Sequence, residues 1–478
     1  MNALDLWLDG RLAGTLMRGE RDLVEFLYDE SYRADVHSTP LSVCMPKSDA
    51  GHGPDRVMPW LSNLLPDSDE VRARWAAKFD ERRSDPFTLL RHMGEDAPGS
   101  VQVVPEGIVP RDAGVVARLT EADIARRVRA IIADPDHWVD DSDDQSRFSL
   151  GGNQGKFALA RIDGQWFEPN GRAASTHIVK PGMVLASGRT NDEVQAVEFV
   201  TMRAARALGI RAAAVDIMDF AGVPTFVTTR YDRSVSGVDG AVTRIHQEDF
   251  CQAFAVLPAR KYEEDGGPTM ADMVQLVGSA SSPAYRREDL RTLAELFAFN
   301  LLTAGVDAHA KNHSLLHVGG ATRLAPAYDL ISAHGIWDDD RIAYRSSAAV
   351  KYGKERPYRK ITGRNLARTA DVLGVPRRQF LALLDRVSKS LPGAFEAAVA
   401  ELPEGLATER VHAMPVRIGE FARGFVDRLR AEDLSVRSIP TFTGAMNRGD
   451  RVLGTTWEPG GWRSGRWITG RYRSRVSR

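Results

Sequence analysis

The run Leu4-Asp5-Leu6-Trp7-Leu8, the pair Asp9-Gly10 and the run Arg11-Leu12-Ala13 predict two short strands around a tight turn. Leu41-Ser42-Val43-Cys44-Met45 predicts a further strand, stopped by Pro46, which has no backbone N–H to give to a ladder. Trp60 to Leu65 and Phe87 to Leu90 read as short amphipathic helices that pack a core. From Phe148 to about Asp232 the pattern changes to strands with one helix. Phe157 to Ile162 and Gln165 to Glu168 flank Asp163-Gly164 as a second hairpin, and Thr176 to Lys180 and Pro224 to Thr229 are two more strands. Val194, Val197, Thr201, Ala204 and Leu208 recur at three or four residues and mark one helix face.

From about Arg244 to Leu434 the chain reads as mainly helical, with Leu290, Leu293, Phe297 and Leu301 at helical spacing. The expected fold class is therefore α+β, a sheet-rich lobe followed by a mostly helical one. Residues 1–107 form a first block, 108–238 a sheet-rich lobe, 239–436 the helical lobe, and 437–478 a basic tail expected to be mobile. Residues 448–478 hold eight arginines against Asp450 and Glu458, a local net charge of +6. No internal repeat suggests a solenoid or propeller.

Composition narrows the function classes. The chain has 478 residues, 43% of them hydrophobic, enough for roughly two to four domain-sized units. Sixty-three Lys and Arg against 64 Asp and Glu leave a formal net charge of −1, so no global field directs the molecule to nucleic acid or membrane. Cys44 and Cys251 lack the spacing of a zinc site and the density of a disulfide scaffold, which fits a reducing cytoplasm. The first ten residues carry Asp5 and Asp9 and no basic residue, and no run of about 18 apolar residues follows, so neither export signal nor membrane span is expected.

The candidate chemistry begins at Val306-Asp307-Ala308-His309-Ala310-Lys311-Asn312, an acid and an amide five positions apart after an apolar helix. Phosphoryl transfer uses such a pair: the carboxylate accepts the substrate hydroxyl proton, and the amide oxygen holds a magnesium ion. Ser314 to Val318 and Ala321 to Ala325 read as strands around Gly319-Gly320, returning the chain to Tyr328-Asp329-Leu330, where Asp329 becomes a second magnesium ligand. An isolated Asp and Asn at this spacing would be a capped polar turn; the hairpin and Asp329 favour the catalytic reading. His309 and Lys311 can contact phosphate, or serve as a structural histidine and a solvated lysine.

Upstream, Ser149-Leu150-Gly151-Gly152-Asn153-Gln154-Gly155-Lys156 precedes a strand, and its glycines let backbone N–H groups approach phosphates. Phe157 after Gly155-Lys156 excludes a Walker A motif, which needs Ser or Thr there. Lys180 ends a strand after this loop and can pair with ATP phosphates, oriented by Glu198 on the next helix. Thr228-Thr229-Arg230-Tyr231-Asp232-Arg233 joins the two lobes. Either backbone groups of Thr229 and Tyr231 read the adenine edge there, or the segment is a plain linker.

These pieces resemble the HipA toxin kinases of bacterial toxin–antitoxin modules. The likeness covers most of residues 1 to about 430. It rests on Phe148 to Lys156, Ser175 to Lys180, His246-Gln247-Glu248-Asp249 with Cys251-Gln252, Lys261-Tyr262 with Gly266-Gly267-Pro268, Asp307 to Asn312, and Tyr328-Asp329. The resemblance implies a two-lobed protein-kinase-like fold using ATP and Mg2+, with Asp307 as general base, Asn312 and Asp329 as magnesium ligands and Lys180 on the ATP phosphates. The implied nucleotide site comprises Ser149, Gly151, Gly152, Asn153, Gln154, Lys156, Lys180, Glu198, Thr229, Arg230, Tyr231, His309 and Lys311. Ser149 matches the family serine whose autophosphorylation silences the enzyme, since a phosphate there adds about −1.5 to −2 charge beside the ATP phosphates.

The same resemblance implies a serine/threonine kinase acting on a translation component such as an aminoacyl-tRNA synthetase. It also implies a small helix-turn-helix antitoxin through which operator DNA is reached. The basic tail has no counterpart in the family. A small-molecule or lipid kinase and a non-catalytic corepressor bound to an antitoxin are the alternative readings. The second gives no chemical reason for Asp307, Asn312 and Asp329 together.

Overall fold

The computed structural model describes residues 3–110, 117–136, 138, 149–152, 154–169, 174–184, 190–191, 193–235, 242–431 and four short strands between 455 and 474. Phe148 and Asn153 of the glycine loop lie outside the described residues.

The Asp9-Gly10 turn joins the strands Ala3–Leu8 and Arg11–Arg18, and both turn residues have positive φ, 52° and 74°. That backbone matches the right-handed twist of the paired strands. The same two-residue turn recurs at Asp163-Gly164 and Gly319-Gly320, as the sequence predicts, and at Ala221-Gly222, where an alanine takes φ 49°. The first hairpin is the centre of a five-stranded antiparallel sheet, completed by Val24–Tyr28, Gly51–His52 and Gln102–Pro105. The helices Pro54–Ser62 and Pro86–Met93 bury Trp60, Leu61, Leu89 and Leu90 in the same core as that sheet's Leu4, Leu6 and Leu8.

Leu41 to Met45 is not a strand. The Met45 N–H closes a turn onto the Ser42 carbonyl at 3.0 Å, and the Val43 N–H goes to Glu248 Oε1 at 2.8 Å. Groups that a strand would give to a ladder go instead to side chains, because the buried Glu248 carboxylate needs donors.

A six-stranded sheet follows in the order Val215–Phe220, Val223–Thr229, His177–Lys180, Phe157–Ile162, Gln165–Phe167, Arg118–Leu119. Successive side chains of a strand point to opposite faces, so Phe226 joins the core of the helical lobe while Val227 joins the core shared with the first block. The helix Glu193–Ala207 packs Val197, Phe199 and Val200 into the helical lobe's core, which ties Glu198 to both lobes. That lobe is built on Pro283–Leu302, Arg377–Ala400 and Glu409–Ala431, with a small sheet His246–Asp249, Ser314–Val318, Ala321–Leu324 at its inner edge.

In the tail, Thr455–Glu458 pairs antiparallel with Arg471–Ser474, and Gly461–Arg463 with Arg466–Ile468. Thr, Trp, Ile and Tyr favour extended backbone, and Gly residues stand between the runs. Among the described residues no helix is long and apolar enough to cross a membrane.

Candidate active site

The helix Pro283–Leu302 ends where Gly305 turns back on it. The Gly305 N–H reaches the Asn300 carbonyl at 2.7 Å, and a Cβ on Gly305 would lie 2.7 Å from the Asn300 side chain. From there the loop runs through Asp307 to the 3-10 turn Ala310–Asn312. Asn312 Nδ2 donates to the Asp307 carbonyl at 2.8 Å and lies 3.5 Å from Asp307 Oδ2. Tyr262 Oη donates to Asp307 Oδ1, and His309 Nε2 is 3.6 Å from the same oxygen. Burial raises the Asp307 carboxyl above its ordinary range, against the pull of the Tyr262 hydroxyl and Lys261.

The Gly319-Gly320 hairpin then carries the chain to Asp329. Tyr328 fixes the arrival by donating Oη to the Lys311 carbonyl at 2.8 Å, and Asp329 sits in the left-handed region at φ 52°. Lys180 Nζ lies 2.7 Å from Glu198 Oε1 and also binds Asp329 Oδ1. Burial opposes charge on both partners, but Asp329 and Glu198 hold Lys180 protonated, and Lys180 with Lys156 holds Asp329 ionised. Glu198 carries the remaining strain: burial pushes it up to about 7 although Lys180 pulls it down.

These groups surround one cavity of about 430 Å³ between the lobes, lined among others by Lys156, Lys180, Glu198, Asp307, Asn312 and Asp329. Gly151, Gly152, Gln154, Thr229, Arg230, Tyr231, His309 and Lys311 line it too, so most of the expected site residues converge.

Four depart from their expected parts. Ser149 does not line the cavity: it is fully buried and its Oγ donates to the Leu64 carbonyl, because the loop lies down on the first block. The Arg230 guanidinium is taken up by protein partners, bound to Asp232 at 2.8 and 3.0 Å and to Ser175 Oγ at 2.8 Å. The Thr229 N–H is taken by the Ala214 carbonyl at 2.8 Å, which removes it as an adenine donor. Lys311 is neither solvated nor free for phosphate, since its Nζ lies 2.7 Å from Asp67 Oδ1.

The glycine loop is tightly held. A Cβ on Gly151 would lie 2.7 Å from the Asn63 carbonyl, Gly152 has φ 102°, and Lys156 Nζ donates to the Gly151 carbonyl at 2.9 Å. Burial, then Lys180, pushes Lys156 down to about 8.

Asp67, Asp249 and Tyr262 also reach this site, and sequence reading gave them no role there. Asp249 lines the cavity and is pushed up to about 7 by burial. The only signal for Tyr262 is its place in Lys261-Tyr262 ahead of Gly266-Gly267-Pro268.

Comparison with known proteins identifies the family and the fold. The model of the HipA N-terminal domain matches residues 4–104, and that of the HipA-like C-terminal domain matches residues 148–395. The chain is 33% identical over 446 residues to Y4mE of Sinorhizobium fredii, covering 91% of this chain and 100% of that one. It is 28% identical over 438 residues to the serine/threonine-protein kinase toxin HipA of Shewanella oneidensis, covering 87% and 96%. A solved structure of HipA, HipB and operator DNA from Shewanella oneidensis MR-1 superposes with a TM-score of 0.74 at 25% identity, over 90% of this chain and 100% of that one. With its two-lobed kinase-like fold and its matches to both HipA domains, the chain belongs to the HipA family of serine/threonine protein kinases.

Proposed function

We propose that this kinase uses ATP and Mg2+ to phosphorylate a Ser or Thr of a translation component such as an aminoacyl-tRNA synthetase. On this reading a small helix-turn-helix antitoxin restrains it and links it to operator DNA, and autophosphorylation of Ser149 silences it. The observation that carries the catalytic part is the meeting of Asp307, Asn312 and Asp329 with the Lys180–Glu198 pair around one cavity.

The acceptor hydroxyl gives its proton to the Asp307 carboxylate. Its oxygen bonds to the γ-phosphorus as the bond to the ADP oxygen breaks, and ADP leaves with those electrons. Lys180 would bind the phosphates with its ammonium, and Glu198 would keep it aimed were Asp329 to hold a metal ion.

The residues present fit a magnesium ion. Asn312 uses Nδ2 on the Asp307 carbonyl, which leaves Oδ1 as the acceptor end of the amide, and Asp329 keeps 36% of its side-chain surface exposed. Two oxygen donors, with no group of three His, Cys, Asp or Glu among the described residues, suit a cation completed by phosphates and water. When bound, Mg2+ neutralises charge on the phosphate oxygens.

Ser149 is buried against Leu64, so its phosphorylation requires the loop to leave the first block. The antitoxin and DNA partners are supported by the HipA–HipB–operator structure named above.

The test is incubation with γ-labelled ATP and cell extract. Labelled protein bands that vanish in Asp307→Ala support the reading. Label found only in lipid or small molecules supports the alternative acceptor class, and growth inhibition undiminished in Asp329→Ala sinks the catalytic account.

A further inference from the structure

The motif Lys261-Tyr262 with Gly266-Gly267-Pro268 has no part in the mechanism above, yet its tyrosine touches the catalytic carboxylate. We propose that the Tyr262 hydroxyl stands where the phosphoacceptor hydroxyl must sit on Asp307, so that an acceptor enters by displacing it. The inference rests on the reading of Asp307 as general base.

Tyr262 donates to Asp307 Oδ1, the bond an acceptor hydroxyl would make. The other approaches to this carboxylate are flanked by His309 Nε2, 3.6 Å from Oδ1, and Asn312 Nδ2, 3.5 Å from Oδ2. The contact is mounted on firm backbone. The Lys261 carbonyl accepts from the Ala310 N–H of the catalytic loop at 3.2 Å, and the Tyr262 carbonyl accepts from the Gly267 N–H at 3.0 Å.

A Cβ on Gly267 would lie 2.0 Å from the Arg260 carbonyl and 2.7 Å from that of Tyr262, so the turn closes only around glycine. On the outer side, Glu263 holds the Lys351 N–H at 2.6 Å and its Nζ at 3.1 Å. The Tyr262 ring meets His309 edge-on, 4.7 Å between centroids at 90°. Burial keeps the phenol protonated far above its usual range, so the hydroxyl donates to Asp307 throughout any working pH.

A tyrosine held this way is a positioning residue: it keeps Oδ1 in place and occupies one of its acceptor positions until an acceptor competes, while Asp307 keeps 43% of its side-chain surface exposed. Displacing a hydrogen bond to a charged group lowers effective acceptor binding about 10-fold.

Water is the simplest acceptor probe. With purified full-length protein, Mg2+ and ATP alone, Tyr262→Phe is expected to raise phosphate release about 10-fold with the KM for ATP unchanged. Glu263→Ala, which loosens the turn without entering the cavity, is expected to raise it in the same direction by a smaller factor. Misfolding does not produce a gain. Release unchanged or reduced in both variants, with ATP still bound at wild-type affinity, overturns the proposal. Asp307→Asn, made alone and with Tyr262→Phe, separates the two readings. If it abolishes release, the base assignment stands and only the Tyr262 inference is under test; if it leaves release intact, the base assignment fails.

Discussion

Lys311 of the catalytic loop and Asp67 of the first block form an ion pair, Nζ to Oδ1 2.7 Å, while Lys261 binds the other carboxylate oxygen at 2.9 Å. Asp67 also gives its backbone N–H to the Gly152 carbonyl at 2.9 Å, so one residue joins the glycine loop and the catalytic loop. Burial alone would raise the Asp67 carboxyl, but Lys311 and Lys261 hold it well below the usual range. Asp67→Ala leaves Lys311, only 7% exposed, without its counter-charge. Loss of one partner of a buried pair costs about 3 kcal/mol. Urea unfolding should show that loss, and adding Lys311→Met should restore part of it, because the paired substitutions are not additive. Additive effects would refute the coupling.

Lys180 bridges Glu198, 18 residues on, and Asp329, 149 residues away. Lys180→Met removes the ammonium from the phosphates and leaves Asp329 to repel them. Phosphotransfer should fall by about 100-fold or more. Glu198→Gln keeps a polar partner for Lys180 and removes a charge that burial already disfavours, so its loss should be smaller. Single-turnover rates with saturating ATP compare the two, and a Glu198→Gln defect equal to that of Lys180→Met contradicts this order.

What could be read in the sequence is what local chemistry specifies. Asp9-Gly10, Asp163-Gly164 and Gly319-Gly320 announce their turns, because their composition suits positive φ. Asp307, Asn312 and Asp329 were legible because five residues and one hairpin bring them together. From its place in the linker Arg230 reads as a nucleotide contact; Asp232 and Ser175 take up its guanidinium, with Asp96 of the first block 3.9 Å away, and no local pattern announces that buried cluster. Leu41 to Met45 resembles a strand in composition, but its geometry is set by Glu248, about two hundred residues away. Ser149 has the composition of an exposed phosphate loop and becomes buried through Leu64.

Arg230, Arg233, Asp96 and Asp232 make a buried ionic cluster at the junction of the first block and the sheet. Arg233 is 3.0 Å from both acids and Arg230 is 2.8 Å from Asp232. Arg244 approaches Asp96 at 3.5 Å, so three cations face two anions. Asp96→Ala would leave excess positive charge without solvent, and the loss should be about 3–5 kcal/mol. Far-UV melting and urea titration measure it; a change under about 1 kcal/mol would mean that water reaches the cluster.

Buried histidines set the acid sensitivity of the fold. His246, His309, His313 and His334 are at most 3% exposed. Burial pushes His246, His313 and His334 down to about 4, and His309 to about 3. His313 lies between the Phe250 and Phe297 rings, at 5.6 and 5.7 Å, with only Nδ1 bonded, to the His309 carbonyl. An unfolded histidine titrates near 6.5, so between about 6.5 and 4 the unfolded chain binds protons that the folded chain refuses. The stabilising contribution is complete above pH 6.5 and is lost as pH falls through that window, at about 1.4 kcal/mol per pH unit for each fully discriminating histidine. Asp249 and Glu198, both pushed up to about 7, act oppositely, since the folded chain keeps their protons where the unfolded chain releases them. His177 is likewise pushed down to about 4 by burial and Asp307 is raised like the two carboxyls, so five histidines outweigh three carboxyls and stability should decline from pH 6.5 to 4.5. His313→Asn retains a donor toward the His309 carbonyl and removes one titrating ring. It should make the decline shallower by about one proton, measured as the pH slope of the unfolding free energy in urea, and an unchanged slope would show that His313 is protonated in the native core.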